Sequence, residues 1–375
     1  MSVYFSLVGL TLIIPLALTF FVKNKKNREL YTLMISMFLV LLVVILRAPS
    51  VGKDIMGYKR IYENMQYQTW GNFDTTWMEW GYELLMMIFT HIFHASFQTF
   101  LVVIYAFVYY SYFNFFRKYS VDYTMSILLY ICFTFFTFDL SALRTVLGLA
   151  ICLLAIPYAQ KKGFVNFLVF VAITLVAAQV HKSAYIFLVL YFAIKFDFNR
   201  KTAIFYIGLP LLLFIFKGHF FGIINVYFKS VEESKGSIGG NLIIYICSIL
   251  MTGIIWLNIK SNQKKIMENV TVNENNRSKI DKITKYLKSS GFEVRMVYLG
   301  IVLQLFAGNT ILSRMGQYAQ IFILLLLPNN IKQIDWRSRV IVKYGLIILL
   351  ILYFWKYSLD ANALEIVPYK FFWSE

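Results

Sequence analysis

Three cations stand where an apolar chain should not carry them. Arg144, Lys182 and Arg314 each lie within about one turn of the start of a long apolar run. A helix N-terminus already bears about half a positive charge, so a cation there is unfavourable unless an anion sits nearby. Guanidinium forks and free helix N–H groups both suit a phosphate, which makes a diphosphate the candidate anion. The alternative is that these side chains reach lipid headgroups along their apolar stems. Asp139 is the acidic residue closest in sequence to Arg144 and could pair with that arginine only.

His181 precedes Lys182, and an imidazole with an ordinary pKa near about 6.5 suits removal of a proton from an attacking hydroxyl. An interhelical hydrogen bond would explain it equally well. Glu79 and Glu83 stand one helical turn apart in Met78-Glu-Trp-Gly-Tyr-Glu-Leu84. A carboxylate on that face could act as a base or hold a sugar hydroxyl, or could simply be exposed. His91 and His94 have an i, i+3 spacing without an apparent third ligand, so no metal site is expected. The segment from Arg47 to Trp80 joins Asp54, Tyr58 and Arg60 to Tyr62, Tyr67, Trp70, Trp77 and Trp80. Flat rings and carboxylates suit carbohydrate, whereas an aromatic belt at headgroup level needs no ligand.

The elements that must position these residues are membrane helices. Hydrophobic residues make up 59% of the 375 positions and mean hydropathy is +0.65, well above soluble domains. Apolar runs of about 20 residues, enough to cross a hydrocarbon core, recur along the chain. The fold expected is all-α, a polytopic bundle forming one integral membrane domain over residues 1–375. About twelve spans are placed near 3–22, 30–47, 97–116, 123–138, 142–158, 164–180, 182–195, 202–217, 241–258, 294–309, 315–328 and 340–356. The first lacks a basic leader and cleavage site and is read as a retained span. A short interfacial or re-entrant helix is expected near 80–94.

Orientation follows from the basic residues, which cytoplasmic loops retain. With the N-terminus outside, 22 of the 36 Lys and Arg fall in six inner loops, each of them basic. Residues 47–80 and 217–240 are then extracytoplasmic loops, and 259–293 is cytoplasmic, with a weakly amphipathic patch at 280–287. The helix starts bearing Arg144, Lys182 and Arg314 all face outward. The net charge of +17 thereby becomes a topology signal with attraction to anionic headgroups, and nucleic acid is not an expected partner. Cys132, Cys152 and Cys247 lie in apolar runs, which argues against a disulfide framework. There is no P-loop, GxGxxG after a strand, HExxH or DxD pair, so nucleotide-driven and metal-dependent sugar-nucleotide chemistry is not expected.

Read in order, Arg47 with Val51-Gly-Lys-Asp-Ile-Met-Gly-Tyr58, Glu79-Trp-Gly-Tyr-Glu83, Leu143-Arg-Thr-Val-Leu-Gly-Leu-Ala150, Val180-His-Lys-Ser183, Ser313-Arg-Met-Gly-Gln-Tyr318 and Val367-Pro-Tyr-Lys370 resemble the EpsG-type, Wzy-like polysaccharide polymerases. The resemblance covers most of the chain. It departs at Ser313, where the family often carries an acidic residue before the arginine. It implies a multi-pass protein of the bacterial cytoplasmic membrane with an outward-facing site and no cofactor. It would transfer a growing glycan from undecaprenyl diphosphate onto a lipid-linked repeat unit. His181, Glu83, Arg144 and Arg314 would be catalytic. Arg47, Asp54, Tyr58, Glu79, Tyr82, Lys182 and Tyr318 would bind substrate. Its partners would be the lipid-linked repeat units, the bilayer, and a flippase and chain-length regulator of the same pathway. A transporter or flippase, and a ligase of the same geometry, are the rivals; a ligase differs only in its acceptor.

Overall fold

The computed structural model describes residues 1–72, 78–199, 201–202, 204–216, 239–268, 291–305 and 313–374. Within them the chain is helical, and its one β-bridge joins Arg47 to Phe371. The helices are α1 (Ser2–Phe21), α2 (Lys25–Ile45), α3 (Ile55–Met65), α4 (Trp80–Met87), α5 (Phe97–Tyr119), α6 (Tyr123–Cys132), α7 (Phe135–Asp139), α8 (Leu143–Gln160), α9 (Phe164–Val180), α10 (Ile186–Lys195), α11 (Leu209–Ile215), α12 (Gly239–Glu268), α13 (291–305), α14 (Ser313–Gln320), α15 (Ile323–Gln333) and α16 (Trp336–Tyr353).

Five described helices are long and apolar enough to cross a membrane: α1, α2, α5, α8 and the stretch Trp336–Asp360 that α16 opens. Apolar stretches at Tyr123–Cys132, Phe164–Val180 and Ile244–Leu257 are shorter. The expected span at 123–138 is broken at Phe133–Thr134, where Thr134 takes a left-handed φ of +79°. The span at 315–328 is divided between α14 and α15. The stretch 80–94 holds α4 and a π-helical turn at Ile88–Ile92, thirteen helical residues in all, too few to cross. α12 runs on to Glu268, ten residues past the expected end of that span. The loop at 217–240, the patch at 280–287 and Trp77 lie outside the described residues.

The chain divides into two compact units, Met1–Tyr185 with Val340–Glu375, and Ile186–Arg339. In the first, α2 packs between α1 and α5, α8 packs on α5 and α9, and α6 contacts α1 and α2. Local chemistry sets the helix starts. Asn24 caps α2 by accepting from Lys26 and Asn27, Ser96 caps α5 through Thr99 N–H, and Asp122 caps α6 through Met125 N–H. The Asp122 carboxylate also takes Lys343 of α16 as an ion pair. Large apolar side chains such as Leu16, Phe20, Phe21 and Phe38 remain exposed along α1 and α2, as helices facing lipid require.

A buried polar seam runs through this unit. Arg47, fully buried, donates to the carbonyls of Val44 (2.6 Å) and Val51 (3.1 Å) and to the Tyr105 hydroxyl (3.1 Å). Tyr105 in turn donates to the Asp139 carbonyl at 2.5 Å. The Asp139 carboxylate accepts from Tyr130, whose hydroxyl lies 2.7 Å from that of Tyr109. Asp139 is therefore engaged by tyrosines, and the carboxylate that pairs with Arg144 is a different one.

In the second unit, Arg295 pairs with Asp197 at 2.6 Å and donates to the Ala193 carbonyl. Asn329 donates to Glu293 at 2.6 Å, and Asn330 to Thr252 at 2.7 Å. These bonds satisfy part of the polar content carried by α10, α12, α13 and α15.

Candidate active site

The site is built from the ends of four helices of the first unit. Glu79 is the N-cap residue of α4 and has extended backbone (φ −74°, ψ 136°), so helical spacing applies only from Trp80 onward. Its side chain is turned across to α8 and the end of α9. One carboxylate oxygen, Oε2, accepts from Arg144 Nη1 at 2.6 Å. The other, Oε1, lies 2.9 Å from His181 Nδ1 and accepts from the Lys182 main-chain N–H at 3.0 Å. Glu79, Arg144 and His181 are all more than 90% buried.

Arg144 is the second residue of α8. Its Nε donates to the Tyr58 hydroxyl at 3.3 Å, and its guanidinium lies 5.7 Å from the Tyr58 ring. Tyr82 meets Tyr58 edge to face at 6.0 Å and is itself fully buried. The anion that the start of α8 calls for is therefore supplied by the protein, as Glu79. Nothing in the spacing of Glu79 and Arg144, 65 positions apart, pairs the two.

His181 stands in the break where α9 ends and a 3₁₀ turn, Lys182–Tyr185, begins. Its extended backbone (φ −155°, ψ 120°) exposes the Lys182 N–H to Glu79. Lys182 thus contributes a main-chain donor, while its side chain is solvent-exposed, in keeping with a cation that reaches the headgroups.

Gly81 brings α4 close enough to make this contact. A Cβ built there would lie 2.6 Å from the Gln179 Cβ and 2.8 Å from the Gln179 carbonyl oxygen. Gln179 is two residues before His181, so a side chain at position 81 would drive α4 off the end of α9. Gly81→Ala is expected to cost about 1–3 kcal/mol of stability through overpacking. It should lower activity about 100-fold, because a shift of about 1 Å misplaces His181 against Glu79. Thermal unfolding and turnover of the same preparation check both effects.

The electrostatics favour an ionised carboxylate. Burial pushes the Glu79 carboxyl up, but the hydrogen bond and charge of His181, the charge of Arg144 and the Lys182 N–H outweigh it and hold the pKa at about 2, against an ordinary 4.5. With Glu79 ionised, the His181 Nδ1–H donates a hydrogen bond to Oε1, and in the neutral ring Nε2 is then the accepting nitrogen. A carboxylate that fixes the imidazole tautomer in this way readies the ring to take a proton elsewhere.

The remaining candidates fall in several places. Glu83 is fully buried one turn into α4. Asp54 is the N-cap residue of α3, and its main-chain N–H donates to Ser141 Oγ at 3.4 Å. Arg47 lies in the polar seam. Arg314 opens α14 as the sequence suggests, and Tyr318 is buried on the same helix against Phe187; both belong to the second unit. Tyr67, Trp70 and Trp80 present exposed rings, whereas Tyr62 is buried and donates to the Ala95 carbonyl at 2.7 Å. His91 has both ring nitrogens engaged, one with Thr90 and one with the Gln68 carbonyl.

Comparison with known proteins decides the family. The EpsG family matches residues 30–371, nearly the whole chain. The protein belongs to the EpsG family. Neither a curated protein nor a solved structure matches the chain significantly. EpsG proteins are Wzy-like polymerases, so membership points to a polysaccharide polymerase-type function. With the apolar helices it also points to a multi-pass membrane protein. In this EpsG protein, segments 47–58, 79–83, 143–150 and 180–183 all converge in the first unit. Nothing in the sequence singles out the Gly81 contact itself or the Asp139–tyrosine cluster. A glycine flanked by site residues, as in Glu79-Trp-Gly-Tyr-Glu83, was the available signal for Gly81.

Proposed function

We propose that this EpsG protein joins lipid-diphosphate-linked oligosaccharide repeat units at the outer face of the bacterial cytoplasmic membrane. The acceptor sugar hydroxyl attacks the anomeric carbon of the growing chain. A new C–O glycosidic bond forms, and the bond between the anomeric carbon and the diphosphate oxygen breaks. The hydroxyl proton passes to His181 Nε2, and the leaving group departs as the lipid diphosphate. Arg144 carries the positive charge at the start of α8 that favours this anion. Glu79 is a positioning residue, holding the imidazole and the guanidinium by its two oxygens. Arg314, which opens α14 in the second unit, has a catalytic role implied by the resemblance, to be tested by its own alanine variant.

The observation that carries the reading is the Glu79 carboxylate shared between His181 Nδ1 and Arg144 Nη1 in a chain of this family. The test is the purified protein in liposomes with lipid-linked repeat units as its one substrate. Wild type is expected to produce a ladder of polymers, and His181→Ala to lose at least about 100-fold in rate. A protein that makes no bond but moves the lipid across the bilayer is a flippase. One that needs a different acceptor is a ligase.

A further inference from the structure

We propose that the C-terminal segment Asn362–Phe372 is a strap that positions Arg144 for the reaction, acting through the turn at Arg47–Asp54. This rests on the polymerase reading of the Glu79 site. Neither the chemistry nor the helix packing uses the closing motif Val367-Pro-Tyr-Lys370, yet the family match extends through it to residue 371.

The strap is a closed object. Asn362 Oδ1 accepts from the N–H groups of Ile366 (2.8 Å) and Val367 (2.9 Å), and its Nδ2 donates to the Val367 carbonyl at 2.7 Å. Main-chain bonds fasten it to the turn: Gly52 N–H to Glu365 O at 3.0 Å, and Lys53 N–H to Leu364 O, Ala48 N–H to Lys370 O and Phe372 N–H to Leu46 O, each at 2.9 Å. Tyr369 donates to the Val43 carbonyl at 2.9 Å, and Tyr4 of α1 donates to the Ile366 carbonyl at 2.7 Å.

The turn then bears on the start of α8. Gly52 has φ +107°, and a Cβ there would lie 1.9 Å from the Leu140 carbonyl oxygen. Glycine is therefore required both by conformation and by close approach. Asp54 N–H reaches Ser141 Oγ, and Arg47 reaches the Asp139 carbonyl through Tyr105. Residues 139–141 lead directly into α8 and Arg144. The other end of the turn leads into α3 and Tyr58, the hydroxyl that accepts from Arg144 Nε. Both partners of the Tyr58–Arg144 contact thus hang from one turn, and the strap holds that turn. Arg47, whose guanidinium donates to Val44, Val51 and Tyr105, is a positioning residue within the strapped turn.

Glu79 is held independently, by the Gly81 packing and by Lys182 N–H. Loosening the strap should therefore draw Arg144 away while leaving His181 on Glu79. The charged and titratable groups around His181 are Glu79 and Arg144, with Tyr58 and Tyr82 behind them, Glu83 one turn along α4 and Lys182 next in the chain. Loss of the nearby guanidinium favours imidazolium, so His181 should titrate at higher pH.

The test uses the full chain in nanodiscs, with Asn362→Ala to open the strap. His181, one of four histidines, is followed by NMR titration and assigned with His181→Asn. Expected are faster exchange of the strap and turn amides and a rise in the His181 midpoint. Turnover per folded molecule should fall about 10- to 100-fold. Asn362→Asp keeps both accepted hydrogen bonds but turns a carboxylate oxygen toward the Val367 carbonyl, and should restore part of the titration and turnover. If Asn362→Ala does not fold, Tyr369→Phe, which removes one hydrogen bond, should shift both readouts in the same direction by less. An unchanged His181 titration and turnover with fast-exchanging strap amides would overturn the proposal. Wild-type protein that forms no polymer would overturn the polymerase reading instead, and exchange and titration would still decide the strap.

Discussion

Replacing Arg144 by alanine is expected to abolish chain extension at neutral pH, with lipid-linked single repeat units accumulating and no ladder above them. Two losses combine. The positive charge at the start of α8 that favours the departing diphosphate is gone, a loss of about 100- to 1,000-fold by analogy with removing one oxyanion donor. Glu79 also keeps only His181 and the Lys182 N–H as partners, so the imidazole takes up a proton to balance the buried carboxylate. A protonated His181 is no base. The second loss should therefore recover as pH rises, and the first should not. Activity of Arg144→Ala measured from pH 6 to 9 should climb with pH yet stay far below wild type. Arg144→Lys keeps the charge but not the fork that spans Glu79 and Tyr58, and should retain part of the activity. A full polymer ladder from Arg144→Ala would remove this arginine from the mechanism.

Glu79→Gln is the second large effect, and it should fall on stability as well as rate. A neutral amide leaves the buried Arg144 without its carboxylate, a change that typically costs about 3–5 kcal/mol. Its NH₂ group also faces donors, either Arg144 or the His181 Nδ1–H and Lys182 N–H pair, while the carbonyl oxygen still accepts on the other side. The pH dependence carries the sign. Glu79 is held at about 2 in the fold against an ordinary 4.5, so its contribution is fully present above pH 4.5 and is lost as pH falls through 2. A depression of that size is worth roughly 3 kcal/mol. The stability gap between wild type and Glu79→Gln should narrow steadily below about pH 5 as the wild-type carboxylate is protonated. Denaturant unfolding between pH 3 and 8 checks this, and a gap that does not vary with pH would mean that Glu79 is not ionised by its partners.

Much of this was legible in the residues. Long apolar runs fix α1, α2, α5 and α8 because only a helix satisfies its own backbone in lipid. Breaks inside apolar runs leave little mark. Thr134 adopts a left-handed φ of +79° without being glycine, and Phe133–Thr134 is as apolar as its surroundings. Candidate residues could be selected, since a cation at a helix start is unfavourable by itself. Their partners could not. Asp139, five positions from Arg144, is the acid nearest to it in sequence, whereas Glu79, 65 residues away, makes the pair.

His181 and Lys182 were legible as a polar pair, but the Lys182 contribution is a main-chain N–H, which no side-chain pattern reveals. The chain terminus is similar. Val367-Pro-Tyr-Lys370 could be noted as a motif, but its contact with Ala48 crosses more than 300 residues. Contacts at such separations are fixed by packing and not by local periodicity.

The most direct test is a single-turnover reaction of purified protein with a synthetic lipid-diphosphate repeat unit, quantifying released lipid diphosphate and new glycosidic bonds together. Expected is one lipid diphosphate freed per bond formed, with His181→Ala suppressing both to the same extent. Bond formation in His181→Ala at the wild-type rate, or lipid diphosphate release unaccompanied by bonds, would contradict a histidine base held by Glu79 beside Arg144.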